Sequence, residues 1–296
     1  MLFEHLNPRA IEELGCRRAA QCFRIAGGAG PTVSRVLGDL LAQAERSRVA
    51  DGAVAVRTYW SEEARMADLG LVGRRYSGAA HLEPDGHIAK LLERGLCSGL
   101  VGLSSFALPG WLRNACRAGL PHRFVLDIEN AHPVLLLQRH PHLHTLRAYV
   151  EHREDLLRQV HQDRAAAKEL FLVLLYGGSA QGWMRRCSVA QLPAWVGQLE
   201  AEFAQAREAD VAAHPDLFER VKTTSAKPVE LLQYVLNTKL EREVLDAICG
   251  VVEKQLAGTV LAWEHDGAYV YCRRSAAEIK EAVEREVKLS VKARGG

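Results

Sequence analysis

The sequence predicts an α+β protein in which helices outnumber strands: a small antiparallel sheet with helices, plus further helical segments. Three observations predict this class. Residues 259–272 read as two apolar strands joined by a tight turn, and residues 124–128 form a short apolar run. Long stretches with helical periodicity lie around them. The chain has 296 residues, 48% of them hydrophobic, which is enough for one large or two ordinary domains.

The N-terminal part, residues 1–69, is predicted to be helical. Residues 8–24 and 31–49 have amphipathic helical patterns, and Pro31 suits the first turn of a helix. The glycine-rich stretch 27–30 lacks the Gly-Lys-Ser/Thr ending of a phosphate-binding loop, and no strand pattern precedes it. We therefore predict a plain turn between the two helices.

The rest of the chain alternates irregular and helical segments. Residues 70–118 are rich in glycine and irregular, and a strand-like stretch at 287–291 follows the last helix. The predicted helices of this part are 87–96, 109–118, 143–176, 190–208, 228–256 and 274–287.

The overall charge and the cysteines limit the possible classes of protein. The net charge of +2 neither identifies nor excludes a nucleic-acid-binding protein, because a local basic groove can lie on a near-neutral surface. The seven cysteines form no Cys-x-x-Cys pair, which argues against a zinc module or a disulfide framework. We expect reduced thiols, an intracellular location and no membrane partner, since no apolar run reaches membrane-spanning length.

Two aspartates follow apolar strand patterns. Asp127 ends the run 124–128, and Asp266 lies in the His265-Asp266-Gly267 turn of the C-terminal hairpin. If both strands share a sheet, the two carboxylates converge and repel each other, and Mg²⁺ is the cation that prefers such oxygens. Taken alone, Asp127 is more commonly a strand-end or turn carboxylate, and Asp266 is better explained as part of an Asp-Gly hairpin turn.

A basic helix lies between the two aspartates in sequence. Arg164 and Lys168 are four residues apart and share a helix face, Tyr176 lies near that face, and Gly177-Gly178 end the helix. Two cations one turn apart can hold a triphosphate. The alternative is an ordinary solvated basic face that leads into a buried apolar end.

The order of these segments resembles the palm and fingers of A-family DNA polymerases and of the related single-subunit RNA polymerases. The segment 126–133 looks like their first catalytic motif, and Glu264-His265-Asp266-Gly267 looks like their last. Arg164-x3-Lys168-x7-Tyr176-Gly177 has the spacing of their fingers-helix motif. Weaker similarities precede the first motif at 73–77 and 108–115.

The resemblance implies template-directed nucleotidyl transfer with two Mg²⁺ ions, a nucleic-acid primer-template and deoxynucleoside triphosphates. The implied metal ligands are Asp127, Asp266 and Ile128, and Lys168 is implied as the proton donor to the leaving group. The implied nucleotide-binding residues are Arg164, Lys168, His132, Leu172, Tyr176 and Gly177, and the nucleic-acid-binding residues are His265, Arg113 and Asn237.

The sequence departs from the family pattern at three places. His132 occupies the position of the Glu that excludes a ribose 2′-hydroxyl, and Leu172, next to Phe171, occupies the position of an aromatic residue. Gly267 replaces a Glu that often follows the His-Asp pair, a loss for which Glu264 is a partial substitute. The His132 ring either blocks the 2′-hydroxyl by its bulk, which favours deoxynucleotides, or is a packed core histidine.

The predicted domains follow from the resemblance. Residues 1–69 would be a helical N-terminal region, in the place of a reduced thumb, and residues 70–140 and 210–296 would form the two parts of the palm. Residues 141–209 would form the fingers. Two alternatives stay open: a non-catalytic, nucleic-acid-binding descendant of a palm, and an RNA-synthesising polymerase. The sequence identifies no protein partner.

Overall fold

The structure is a computed structural model, and it describes residues 2–7, 54–58, 60–62, 66, 69–71, 75–77, 110–264 and 266–295. The described residues belong to two compact units. The first contains the described residues up to Glu129 and those from Arg242 onward, and the second contains Asn130–Glu241. We call them the sheet unit and the helical unit.

The sheet unit is built around a four-stranded antiparallel sheet. Its strands are β5 (Arg123–Ile128), β6 (Thr259–Glu264), β7 (Gly267–Tyr271) and β8 (Val291–Gly295), in the spatial order β6-β7-β5-β8. Two shorter antiparallel pairs precede them in sequence: β1 (Leu2–Leu6) with β2 (Val54–Thr58), and β3 (Trp60–Glu62) with β4 (Arg75–Ser77).

The helices are numbered in chain order. Among the described residues they are α1 (Gly110–Arg117), α2 (Ala131–Arg139), α3 (His144–Glu151), α4 (Arg153–Val160), α5 (Arg164–Leu175), α6 (Ala180–Cys187), α7 (Ala194–Ala213), α8 (Pro215–Lys222), α9 (Pro228–Gly250) and α10 (Ala276–Val287). A π-helical turn, Val251–Gln255, follows α9.

Each unit has an apolar core. In the sheet unit, α10 packs against β8, and Ile279, Val283 and Val291 are fully buried. In the helical unit, helices α3 to α7 bury Trp183, Tyr149 and Phe203. The Tyr149 and Phe171 rings stack with centroids 3.9 Å apart.

The predicted fold class is confirmed, since the structure is α+β with a small antiparallel sheet and many helices. The strand 123–128, the hairpin and helix α1 lie where the sequence predicts them. The stretch 143–176, predicted to be strongly helical, contains the three helices α3, α4 and α5. The last begins at the N-cap Asp163, whose carboxylate accepts from the backbone N–H of Ala165 at 2.8 Å.

Two further expectations differ from the structure or lie outside it. The final strand is β8, which begins at Val291, four residues after the predicted start at 287. The described residues of 1–69 include strands β1, β2 and β3, so the predicted helical character does not extend to these strands. The helices predicted at 8–24, 31–49 and 87–96 lie outside the described residues.

Candidate functional site

The sheet brings Asp127 and Asp266 together at one end. Asp127 pairs with Gly267 in the register of β5 and β7. The next residue, Ile128, donates its backbone N–H to the carbonyl oxygen of Asp266 at 3.3 Å. The hairpin turn that carries Asp266 therefore lies directly beside the end of β5, as the sequence argument requires.

The Asp127 carboxyl titrates abnormally because of this environment. Burial, and then the negative charge of Asp266, raise its pKa to about 6 from an ordinary 3.8. The cations Lys292 and Arg294 on β8 act in the opposite direction, and Glu264 adds to the rise. Ionising Asp127 is thus costly unless further positive charge is supplied, which is the electrostatic condition that a divalent cation relieves.

The donor chemistry of this pair fits Mg²⁺. Among the described residues, no group of three or more His, Cys, Asp or Glu side chains is arranged to hold a metal ion. Mg²⁺ does not need such a cage, because it is usually held by one or two carboxylates and takes its other ligands from water and substrate phosphates. Asp127 and Asp266 together supply two carboxylates.

Gly267 has a steric role that the sequence argument missed. A Cβ atom at this position would lie far inside the contact distance of the carbonyl oxygen of Leu126, on the neighbouring strand β5. Only glycine lets the two backbones approach this closely. The packing of the hairpin against β5 therefore explains why glycine, and not the Glu common in A-family DNA polymerases, follows Asp266 in this chain.

Two arginines of α1 hold Glu264, the residue at the end of β6. Arg117 is fully buried, forms an ion pair with Glu264 and lies 4.0 Å from the centroid of the Tyr269 ring. Arg113, predicted to bind nucleic acid, has its Nε atom 3.7 Å from Glu264 Oε1. The Glu264 carboxylate is therefore engaged by arginines, and its expected role as a substitute for the missing Glu stays a prediction.

In the helical unit, the predicted phosphate-binding residues share an exposed face of α5. Arg164, Lys168 and Leu172 are exposed at intervals of four residues, whereas Phe171 is buried in the core. Arg164 makes two hydrogen bonds to the Glu154 carboxylate, at 2.8 and 2.6 Å. An ion pair this exposed contributes roughly 0–1 kcal/mol, so a phosphate group can displace it at little cost.

The end of α5 is set by its two glycines. Gly178 N–H donates to Val173 O at 2.7 Å, Gly177 N–H donates to Leu174 O at 3.1 Å, and Gly177 has φ +75°. These bonds form a Schellman motif, in which the left-handed residue favours glycine. The prediction that the glycines end the helix is confirmed, while their approach to a template strand stays a prediction.

Tyr176, His132 and Glu241 form a hydrogen-bonded chain within the helical unit. His132 Nε2 lies 3.0 Å from Glu241 Oε2, the Tyr176 hydroxyl is hydrogen-bonded to His132 Nδ1, and the two rings meet edge to face. Glu241 is fully buried. In the tautomer with a proton on Nε2, His132 donates to the Glu241 carboxylate and accepts the Tyr176 hydroxyl at Nδ1. Sequence reasoning found His132 and Tyr176 and missed Glu241, which is 109 positions from His132.

A second buried polar cluster lies near the other end of α2. Asp210 accepts from His140 Nε2 at 2.9 Å and from Gln233, and its Oδ2 atom lies 3.2 Å from Arg139. Burial alone would raise the pKa of Asp210, but these partners outweigh burial and hold that pKa below its ordinary value. Asn237, predicted to bind nucleic acid, lies on α9 between Gln233 and Glu241 and is fully buried. Its amide has no hydrogen-bond partner among the described residues.

Two predictions remain, one for His265 and one for membrane-spanning segments. His265 lies outside the described residues. In the part of the chain that the structure describes, no helix is long and apolar enough to cross a membrane.

Comparison with known proteins supports the fold. No family model and no curated protein match the sequence. The chain is similar to a solved structure described as the POL domain of Pol1 from M. smegmatis in complex with DNA primer-template and dNTP. The TM-score is 0.51 at 12% sequence identity, and the similarity covers 98% of this chain and 55% of that one. The chain thus spans about half the length of that polymerase domain and is similar to it in fold: it has a polymerase-like fold.

Proposed function

We propose that the chain catalyses template-directed nucleotidyl transfer, as a DNA polymerase of the A-family type. The observation that supports this proposal best is the convergence of Asp127 and Asp266 at one end of the sheet, on a polymerase-like fold. The substrates we propose are a primer-template and deoxynucleoside triphosphates, and the cofactor is Mg²⁺.

In this proposal the sheet unit carries the chemical step. Two Mg²⁺ ions bound by Asp127 and Asp266, with Ile128 beside them, would activate the primer 3′-hydroxyl and stabilise the departing pyrophosphate. The pairing of β5 with β7 places Asp127 opposite Gly267, the residue after Asp266, and Gly267 permits the close approach of the two backbones. The ion pair of Arg117 with Glu264 fixes the end of β6 beside the hairpin turn.

For the helical unit we propose that Arg164 and Lys168 bind the phosphates of the incoming nucleotide. Lys168 is exposed and would also donate a proton to the leaving pyrophosphate. Tyr176 and Leu172 would contact the nascent base pair, and Gly177 would lie against the template strand. The exposed ion pair of Arg164 with Glu154 would open when the nucleotide binds.

His132 is proposed to select the sugar. Its ring is held at both nitrogens, by Glu241 and by Tyr176, so it has little freedom to rotate away from a ribose 2′-hydroxyl. This favours deoxynucleotides. The proposed nucleic-acid contacts of Arg113 and Asn237 require these side chains to rearrange, because Arg113 lies against Glu264 and Asn237 is fully buried.

A primer-extension assay tests the proposal. We expect Mg²⁺-dependent extension of a DNA primer by the wild type, with activity lost in Asp127→Asn and in Asp266→Asn. Removing one preorganised hydrogen-bond donor from an active site typically costs about 10²–10³-fold in rate, and we expect the loss of a metal ligand to cost at least as much. Asp216→Asn is the matched control, because Asp216 is exposed in the first turn of α8. Extension that survives in either site variant would contradict the two-metal proposal.

A non-catalytic nucleic-acid-binding module is the second candidate. The observation that favours it is the pair of cations beside Asp127, since Lys292 and Arg294 partly neutralise the carboxylates without any metal. Duplex binding by a well-folded wild type with no extension would support this reading. Extension with ribonucleotides alone would instead indicate an RNA-synthesising enzyme.

A further inference from the structure

Strand β8 places two cations on the same face of the sheet as Asp127. In its register with β5, Lys292 pairs with Asp127 and Arg294 pairs with Val125. Side chains alternate along a strand and cross-strand partners share a face. Lys292 and Arg294 therefore lie on the face that carries the Asp127 carboxyl, two residues apart and about 7 Å from each other along the strand.

The two faces of β8 differ sharply. Val291 is fully buried against the core, whereas the Lys292 side chain is 39% exposed and Arg294 is exposed. Among the described strands, β8 is also the end strand of the sheet and pairs with β5 alone. One face of this strand thus stabilises the fold while the other presents positive charge to solvent beside the carboxylate pair.

Neither cation donates a hydrogen bond to a carboxylate among the described residues. Lys292 Nζ lies 3.6 Å from Glu129 Oε1, which is too long for a hydrogen bond. Arg294 forms no hydrogen bond or ion pair with any described residue, although its charge does act on the Asp127 carboxyl. On α10, by contrast, Arg285 donates a hydrogen bond to the Glu281 carboxylate at 2.6 Å. Lys280 Nζ lies 3.7 Å from Glu284 Oε1, a separation like that of Lys292 from Glu129.

We propose that Lys292 and Arg294 form a binding site for phosphate groups of the substrate, adjacent to Asp127. The inference rests on the proposed function, because it concerns the substrate of that same site. Two cations in line along an edge strand suit consecutive phosphates of one chain, in which each contact is electrostatic and independent of sequence. Those phosphates come either from a nucleic-acid strand or from the triphosphate of a nucleotide, and the experiment separates the two sources.

The test is an equilibrium binding measurement with the full chain in EDTA, so that it does not depend on catalysis. The probes are a fluorescein-labelled DNA hairpin with a 5′ overhang and a fluorescent deoxynucleoside triphosphate, from about 50 to about 200 mM KCl. The variant is Lys292→Ala with Arg294→Ala, and the control is Lys280→Ala with Arg285→Ala, which removes the same charge from the same unit. Lys292→Gln with Arg294→Gln, checked by thermal unfolding, guards against misfolding of the alanine variant.

If the phosphates belong to the DNA strand, we expect the hairpin to bind at least about tenfold more weakly to the site variant than to the control. The slope of log Kd against log salt should fall by about 2, since each phosphate contact contributes about 0.9. If they belong to the nucleotide, only the triphosphate affinity should fall. A site variant that binds both probes like the control, or a wild type that binds neither, would overturn the inference.

The outcomes stay distinct from those of the proposed function. If the site variant binds the probes more weakly but the wild type does not extend a primer, the phosphate site is supported and the polymerase proposal is contradicted. If the wild type and the site variant extend the primer equally and bind both probes equally, the polymerase proposal stands and the phosphate site is contradicted.

Discussion

The sheet unit and the helical unit treat their charged residues in opposite ways. In the sheet unit, burial and the nearby negative charge of Asp266 raise the pKa of Asp127 to about 6. In the helical unit, the charged groups form complementary sets, such as Asp210 with its three partners and Arg164 with Glu154. The difference teaches that the sheet unit retains an electrostatic conflict that folding alone does not require, and such conflicts are typical of functional sites.

The largest expected effect tests whether the complementary charges around Asp210 stabilise the helical unit. Asp210→Ala should destabilise the protein by about 3–5 kcal/mol, because it leaves the buried His140 and the half-buried Arg139 without their charged partner. Urea unfolding followed by circular dichroism measures the loss. Asp216→Ala, an exposed aspartate, should cost less than about 1 kcal/mol. Equal losses in the two variants would show that the Asp210 cluster is not an important support of the helical unit.

The next effect concerns the close approach of the hairpin to β5. Gly267→Ala should cost about 3 kcal/mol and reduce primer extension, since the added Cβ drives β7 away from the carbonyl oxygen of Leu126. Gly250→Ala is the control in the same unit, because a Cβ there meets nothing within 4 Å and alanine favours the helix. A Gly267→Ala protein as stable and active as the control would contradict the packing described for the hairpin.

The sequence predicted the elements whose signals are local. The hairpin, strand β5 and helix α1 have apolar periodicity and turn residues that act within a few positions. The break of the 143–176 stretch at His152 was not predictable in this way, because no Gly or Pro marks it.

The candidate site was only partly predictable for the same reason. Sequence order identified Asp127 and Asp266, and their convergence needed one assumption, that both strands share a sheet. The pairing of His132 with Glu241 depends on the packing of α2 against α9, which no local pattern specifies. The alternating Val-Lys-Ala-Arg pattern of 291–294 was a signal for cations on one strand face, but its register beside Asp127 came only from the sheet.

A smaller effect tests the electrostatic conflict directly. The pKa of Asp127 is raised on folding, so its ionisation opposes folding: the penalty is absent below about pH 4, grows as the pH rises and is complete above about pH 6. Asp127→Asn should therefore be more stable than the wild type above pH 6 by about 1 kcal/mol, a value reduced to allow for solvent screening. Urea unfolding at pH 4, 6 and 8 measures this. A gap between the two proteins that does not widen from pH 4 to pH 8 would contradict the described environment.

The smallest expected effect tests the exposed pair of the helical unit. Glu154→Gln should change the free energy of unfolding by less than about 0.5 kcal/mol and should strengthen nucleotide binding about twofold, because Arg164 no longer has a competing carboxylate. Glu169→Gln, which breaks the similarly exposed pair with Arg186, is the matched control. Equal nucleotide affinities in the two variants would argue against a role for Arg164 in binding phosphates.

The central claim is that Asp127 and Asp266 jointly hold divalent cations, and Mn²⁺ binding followed by electron paramagnetic resonance tests it most directly. The wild type with a bound nucleotide should bind Mn²⁺. Asp127→Asn and Asp266→Asn should each lose most of that affinity, and the double variant should lose little more, because both carboxylates act on the same ions. Single variants that bind Mn²⁺ as tightly as the wild type would contradict the claim.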